Sequence, residues 1–165
     1  FYTGTADWAF VARVKAAVAI PVIVNGDILT PEDAAEALRQ SGADGVMIGR
    51  GCYGRPWLPR QVAEYLRTGV APDDPSLAEQ LTTLLAHYRA MLAHHGEAPG
   101  VRLARKHVAW YSKGLPGSAE FRAEVNRLDT AGAVEDHIRR FYEPLIERGV
   151  RAERPFRADD ERLAA

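Results

Sequence analysis

Residues 42–57, GADGVMIGRGCYGRPW, indicate the fold of the first part of the chain. Its apolar run VMI is followed at once by Gly49, Arg50 and Gly51, and a helical pattern begins only near Trp57. Apolar residues that do not alternate with polar ones are typical of a strand buried on both faces of a parallel sheet. Two glycines around an arginine are typical of a loop that lets a ligand approach the backbone.

A second apolar segment of the same kind lies earlier in the chain. Residues 20–24 read IPVIV, and residues 25–27, Asn-Gly-Asp, end this predicted strand, while the later strand is predicted over residues 44–48. Helical patterns come before, between and after the two strands, over residues 8–18, 31–40 and 57–67. This order is that of βα units in a parallel sheet, so the predicted fold class of this part is α/β.

The first predicted helix carries a stripe of apolar side chains. They recur at the spacing of one helical face, so we expect them to be buried. The stripe consists of Phe10, Val11, Val14 and Val18.

The composition changes after residue 69, where prolines and aspartates mark residues 70–75 as a linker. Beyond this linker every pattern is helical, which predicts an all-α part. The predicted helices cover residues 76–95, 99–113, 118–127 and 130–147. Residues 149–165 are rich in Arg, Asp and Glu, a composition that predicts a disordered tail.

The overall composition excludes several classes of protein. The net charge is −1, so no global charge bias favours nucleic acid or a membrane surface. The single cysteine, Cys52, excludes an internal disulfide and a cysteine-based metal cluster, and it fits a reducing cytoplasm. We expect no metal ion. No apolar run approaches the ~20 residues that a membrane helix needs.

The start of the sequence predicts a piece of a longer protein. The chain begins without Met, at Phe1, in a pattern typical of the middle of a loop. Two strands alone do not make a stable parallel sheet, because each needs partners at its edges and cover on both faces. We therefore expect the chain to self-associate through exposed strand edges.

Both predicted strands end in glycine-bearing loops, and parallel strands end at the same edge of a sheet. In (β/α)8 barrels this edge often carries a phosphate site. Gly49 and Gly51 would let backbone N–H groups reach phosphate oxygens, and Arg50 would add a charge-assisted hydrogen bond. Asn25 would offer its side-chain amide. The alternative is that the glycines only form a tight loop, and neither loop matches the dinucleotide or P-loop fingerprint.

Helix 99–113 carries two distinct faces. On a helical wheel its cations fall within about 100° of one another, with Trp110 beside them, and its apolar residues fall on a separate arc. A charged face is usually only solvated, but such faces mix signs, and residues 98–119 contain no acid. The cationic face, here called the basic ridge, therefore favours RNA phosphates as its partner. The basic ridge consists of Arg102, Arg105, Lys106 and Lys113, and the apolar arc of Val101, Ala104, Val108 and Tyr111.

Four segments together resemble the bacterial tRNA-dihydrouridine synthases, and specifically their B-type branch. The resemblance covers residues 1–127 and implies an FMN-binding TIM barrel followed by a small helical tRNA-binding domain. It implies that uridine in tRNA is reduced to 5,6-dihydrouridine with hydride that NADPH first gives to FMN. The segments are FYTGTADW (1–8), IPVIVNGDI (20–28), SGADGVMIGRGCYGRPWL (41–58) and RLARKHVAWYSKGLPGS (102–118).

The resemblance implies cofactor roles for both strand-end loops. Asn25, Gly26 and Asp27 match the strand-end loop that binds FMN in the family. Gly49 and Arg50 match the loop that binds the FMN phosphate. These are the residues from which we expect cofactor contacts, together with Gly51.

The family's catalytic cysteine, which protonates the uracil ring, has no counterpart in this chain. We therefore expect no catalytic residue here and no catalysis by this chain alone. Cys52 lies on the phosphate loop and is interpreted as a small packing residue.

The resemblance and the composition together predict four regions. Residues 1–69 would be the C-terminal part of an FMN-binding TIM barrel, 70–75 a linker, 76–148 a helical tRNA-binding domain and 149–165 a tail. Two other functions stay open. One is another FMN- or phosphate-binding TIM-barrel enzyme that acts on a small molecule, which has no need of the basic ridge. The other is a non-catalytic RNA-binding module, which has no need of two phosphate-binding loops.

Overall fold

The computed structural model describes residues 4–151, and these divide into two compact units between Asp74 and Pro75. The division falls inside the segment 70–75 that the sequence marks as a linker. Residues 152–165 lie outside the described residues, and with them most of the predicted tail.

An α/β unit is followed by an all-helical unit, as the sequence predicts. In chain order the first unit contains α1 (Trp8–Ala17), β1 (Ile23–Asn25), α2 (Pro31–Ser41), β2 (Gly45–Met47), a 3-10 turn (Arg50–Cys52) and α3 (Leu58–Thr68). The second unit contains α4 (Leu77–His95), α5 (Glu97–Tyr111), α6 (Ser118–Val125) and α7 (Ala131–Glu147). None of these helices, as far as residues 4–151 extend, combines the length and the apolar character needed to cross a membrane.

Helices α1 and α2 begin at side chains that satisfy free backbone N–H groups. Asp7 Oδ1 accepts a hydrogen bond from Phe10 N at 2.9 Å at the start of α1. Ahead of α2, Asp33 N donates to Thr30 Oγ1 at 3.1 Å, and Thr30 N donates to Asp33 Oδ2 at 2.9 Å. This reciprocal capping box is a local signal. For that reason the sequence alone was enough to find where α2 begins.

The two strands are adjacent and parallel, which confirms the predicted pairing. Val24 pairs with Val46 in a register that brings Asn25 opposite Met47. Asp44 fixes the start of this pairing, because its Oδ2 accepts hydrogen bonds from Val22 N at 2.7 Å and Lys15 Nζ at 2.6 Å. The loops that follow the two strands therefore leave the sheet at the same edge.

The prediction that both strands are buried on both faces is wrong for the described residues. Val24 is 1% exposed, but Ile23 is 55% exposed and Met47 48% exposed. Helices cover one face of the sheet, where Val24 packs with Ile28 and Leu58, whereas Ile23 and Met47 on the other face stay about half exposed. The strands are also shorter than predicted, with three residues each. Self-association through this sheet stays a prediction.

The predicted buried stripe of α1 is also wrong in most of its members. Phe10, Val14 and Val18 are 53%, 43% and 39% exposed. The helix packs Trp8 and one member of the predicted stripe, Val11, against the core. At about 100° per residue, Trp8 and Val11 lie about 60° apart, and Val14 and Phe10 continue the same arc beyond Val11. The apolar arc is therefore wider than the part that packs, so periodicity alone did not identify the buried part.

The second unit is a helical bundle with a core drawn from all four of its helices. Tyr88 of α4, Tyr111 of α5, Val125 of α6 and Tyr142 of α7 are all buried. Helix α5 begins and ends two residues before its predicted range of 99–113. It buries the whole of the predicted apolar arc, because that arc faces the bundle. The opposite face of α5, which carries the exposed cations of the basic ridge, is thereby left toward solvent.

Candidate functional site

The loops that follow β1 and β2 lie side by side at one edge of the sheet. Asp27 follows β1, and Arg50 follows β2. Arg50 Nη2 lies 3.4 Å from Asp27 Oδ1, and both side chains are partly exposed. The structure therefore brings together two of the predicted cofactor residues from different loops.

The loop after β1 has an unusual backbone conformation and is bound by Ala6 and by Trp8, the first residue of α1. Gly26 and Asp27 both have positive φ angles, 101° and 53°. A Cβ at Gly26 would lie 2.7 Å from Ala6 Cβ, so this position needs a glycine for space as well as for its φ angle. Trp8 Nε1 donates to Gly26 O at 2.9 Å, and Ala6 N donates to Asp27 Oδ2 at 2.7 Å. The Asp27 carboxylate thus accepts a hydrogen bond from Ala6 N on one oxygen and contacts Arg50 with the other.

The two glycines around Arg50 differ in their surroundings. A Cβ at Gly51 would lie 2.4 Å from the carbonyl oxygen of Ile28, and Gly51 is buried. A Cβ at Gly49 would meet nothing within 4 Å. Gly51 is therefore required for the packing of the two loops, whereas the space beside Gly49 is open to a bound group.

Cys52 is packed in the protein and is poorly suited to act as a nucleophile. Its Sγ donates a hydrogen bond to Ile48 O at 3.7 Å, and burial raises the pKa of the thiol. A thiol is a nucleophile only as its thiolate, which a raised pKa disfavours. These surroundings are those of a small packing residue.

A polar cluster around Asp74 was not predicted. Asp74 Oδ1 accepts hydrogen bonds from Trp57 Nε1 at 2.9 Å and from Gln61 Nε2 at 3.0 Å. Arg55 Nη2 lies 3.6 Å from the same oxygen, and Arg55 Nη1 donates to Leu29 O at 3.1 Å. The cluster fastens the end of the predicted linker to the start of α3. Gln61, Trp57 and Arg55 are 13, 17 and 19 positions from Asp74 and follow no periodic pattern that could have revealed them.

The residues of the basic ridge fall into two groups in the second unit. Arg102 and Lys106 are exposed on α5. Arg105 is turned toward the loop before α7, where its Nη2 donates to Leu128 O at 3.0 Å and to Asp129 Oδ1 at 2.9 Å. Lys113 follows the end of α5 and is half-buried. An acid from outside residues 98–119 therefore reaches one member of the ridge, which the local sequence did not reveal.

Two histidines pack together at the edge of the ridge. The rings of His87 and His107 lie 5.1 Å apart, and His87 Nδ1 is 3.3 Å from the hydroxyl of Tyr111. Burial, with His87 and Lys106 nearby, lowers the pKa of His107 to about 4. Within residues 4–151 no group of three or more His, Cys, Asp or Glu side chains is arranged to hold a metal ion.

The contrast between the two glycines gives the first prediction. Gly51→Ala should lower the free energy of unfolding by about 1–3 kcal/mol, because its Cβ would collide with the Ile28 carbonyl and force the loops apart. Gly49→Ala is the matched control, with the same added atom and open space around it, and should lower stability less. Urea denaturation of both variants measures the difference. Equal losses at the two positions would contradict the packing role of Gly51.

The low pKa of His107 gives the second prediction. An unfolded histidine takes up its proton near pH 6.5, whereas folded His107 does so near pH 4. The unfolded state therefore binds more protons between these values, and the free energy of unfolding should fall as pH is lowered through this window. His107→Gln should flatten that pH dependence in urea denaturation. His95→Gln, at an exposed position on α4, should leave it unchanged. A profile that keeps its slope in His107→Gln would refute the assignment.

A family model described as dihydrouridine synthase (Dus) matches residues 1–145. A probable tRNA-dihydrouridine synthase of Rickettsia conorii is 53% identical over 147 residues, which are 89% of this chain and 44% of the relative. The tRNA-dihydrouridine synthase B of Xanthomonas campestris pv. campestris is 52% identical over 88% of this chain and 44% of its own length. That of Pseudomonas aeruginosa is 45% identical over 86% of this chain and 42% of its own length.

The chain spans less than half the length of these relatives. The family model, in contrast, covers most of the chain and includes all four segments on which the resemblance rests. The chain therefore belongs to the dihydrouridine synthase family, and its relatives include B-type tRNA-dihydrouridine synthases, as its sequence motifs predict.

Proposed function

We propose that this chain is a portion of a flavin-dependent tRNA-dihydrouridine synthase, which reduces uridine in tRNA to 5,6-dihydrouridine with NADPH through FMN. In this proposal the first unit supplies βα units of a TIM barrel and part of the FMN phosphate site, and the second unit binds tRNA. One observation carries the proposal beyond family membership. The open space beside Gly49 lies next to Arg50, whose guanidinium is paired with the loop after the neighbouring strand.

The residues of the two loops fit a phosphate group. The open side of Gly49 leaves room for phosphate oxygens close to the backbone, and Arg50 adds a fixed positive charge. The exposed side chain of Asn25 adds a neutral donor at the same edge of the sheet. These three residues would hold the phosphate of FMN. The enzyme would gain from FMN the capacity to accept hydride from NADPH and pass it to the uracil ring.

The other predicted cofactor residues contact neighbouring protein segments and position the loops of this site. The oxygens of Asp27 are engaged by Ala6 N and Arg50, and a carboxylate repels a phosphate, so Asp27 serves to orient Arg50. Gly26 and Gly51 allow the close approach of neighbouring segments. Cys52 is not a proton donor in this proposal. By itself the chain would bind the FMN phosphate and tRNA but would not catalyse the reduction of uridine.

The second unit would hold tRNA through phosphate contacts. Arg102 and Lys106 project from the exposed face of α5, and the proposal adds Lys113 just after the end of that helix. Contacts of this kind provide affinity that does not depend on sequence. The relatives are named tRNA-dihydrouridine synthases, which favours tRNA over a small molecule as the substrate.

The third prediction tests the phosphate site. In the full-length enzyme, Gly49→Val should weaken FMN binding by about 1–3 kcal/mol, because the new side chain would occupy the space of a hydrogen-bonded charged group. A fluorescence titration of the apoenzyme with FMN measures the change in Kd.

The control for this titration is Gly132→Val on α7, where an added Cβ also meets nothing within 4 Å. It should bind FMN as tightly as the parent. Unchanged FMN affinity in Gly49→Val would remove the phosphate site from this loop.

The fourth prediction tests the basic ridge. Arg102→Gln and Lys106→Gln should each lower the slope of log K for tRNA against log salt by somewhat less than one unit, because each removes one phosphate contact. Arg105→Gln should change the slope less, because its guanidinium is already bound to Leu128 O and Asp129. Filter binding of the full-length enzyme at several salt concentrations gives the slopes. If no variant alters the slope, the ridge is only a solvated face.

A further inference from the structure

The exposed face of α5 carries more than charge. Leu103 is exposed on this face, and Trp110 lies half-exposed two turns further along the helix. Arg102 and Lys106 lie between and beside them, so cationic and apolar side chains alternate along one surface. A face that is merely solvated gives no reason for an indole at this position.

A row of rings connects Trp110 to the core of the second unit. Buried Tyr111 is followed by His87, whose Nδ1 lies 3.3 Å from the tyrosine hydroxyl. The ring of His87 lies 5.1 Å from that of His107, and the ring of His107 lies 4.9 Å from that of Trp110. Both pairs have edge-to-face geometry, with interplanar angles of 68° and 82°. The indole is therefore supported from the core outward.

This support matters because ordering a side chain opposes binding. A side chain that is already held in place loses little further conformational freedom when a ligand packs on it. The supporting imidazole of His107 is also neutral at pH 7, because burial lowers its pKa to about 4. Lys106 Nζ lies 5.8 Å from the indole centroid.

A fixed aromatic ring flanked by cations is chemically suited to unpaired nucleotides. Nucleobases that are not in a duplex stack on aromatic side chains, while lysine and arginine bind the adjoining phosphates. Duplex RNA offers no such base, because its bases are already stacked on one another. The absence of acids from residues 98–119 disfavours a basic protein as the partner of this face.

We propose that Trp110 is a stacking site for an unpaired nucleobase of the bound RNA, with Lys106 and Arg102 on the phosphates beside that nucleotide. This inference rests on the proposed tRNA-binding function of the second unit. It adds a contact that does not depend on salt and that distinguishes a looped, partly single-stranded RNA from a plain duplex.

The test compares three variants of the full-length enzyme in tRNA binding. Trp110→Leu removes the ring and should raise Kd roughly 5- to 150-fold, the range for loss of one base–aromatic stack. Trp110→Phe keeps a ring and should restore most of the affinity. Leu103→Ala, which removes apolar surface from the same face without touching the ring, should have a much smaller effect. The slope of log K against log salt should be the same in all three, because no charge is lost.

A second measurement does not depend on the folding of any variant. Ultraviolet crosslinking of the parent enzyme to tRNA, followed by trypsin, should attach a nucleotide to residues 107–113, HVAWYSK, which lie between two trypsin sites. The attached nucleotide should come from an unpaired position. A crosslink elsewhere only, or at a base-paired position, would overturn the stacking site.

The outcomes separate this inference from the proposed function. If Trp110→Leu binds tRNA as tightly as the parent while Lys106→Gln lowers the salt slope, stacking is wrong and the basic ridge stands. If Trp110→Leu lowers the salt slope as a lysine variant does, the indole acts only by holding Lys106, which also overturns stacking. If the parent enzyme does not bind tRNA, the proposed function itself fails.

Discussion

The parallel pairing of β1 with β2 is the constraint on which the candidate cofactor site depends. Its register puts Asn25 opposite Met47, so the loops that follow both residues leave the sheet together. Only in this arrangement does Arg50 come within 3.4 Å of Asp27, since 23 positions separate the two in sequence. Ala6 and Trp8, at the start of the first unit, add hydrogen bonds to the loop after β1. The candidate site is thus formed by contacts between three separate parts of the first unit.

The two units meet different physical requirements. A phosphate site needs fixed backbone and one oriented charge, and the first unit supplies them through glycines that allow close contacts and a carboxylate with a partner on each oxygen. A surface for a large polyanion needs several exposed charges, and α5 can supply these because its other face is fully occupied by the bundle core. Arg105 shows that a cation of α5 can instead stabilise the fold. Its guanidinium is hydrogen-bonded to Leu128 O and Asp129 within the second unit.

The sequence was informative wherever the signal is local. The capping box at Thr30 and the left-handed Gly42 fix the ends of α2, and the apolar arc of α5 has a single buried face. The sequence did not predict burial correctly where burial depends on what covers an element, as for Ile23 on the sheet and Phe10 on α1. Residues of the same type also have different roles that the sequence does not distinguish. Gly49 and Gly51 differ in their neighbours, because the carbonyl of Ile28, far away in the chain, lies against Gly51 and nothing lies close to Gly49.

In the proposed function, Arg50 and its loop bind the phosphate of a flavin. The most direct measurement compares the Kd of FMN with that of riboflavin, which lacks the phosphate, in the full-length enzyme and in Arg50→Gln. We expect the parent to prefer FMN, and Arg50→Gln to lose about tenfold or more of that preference while riboflavin affinity stays the same. A preference for FMN that is unchanged in Arg50→Gln would contradict phosphate binding by Arg50.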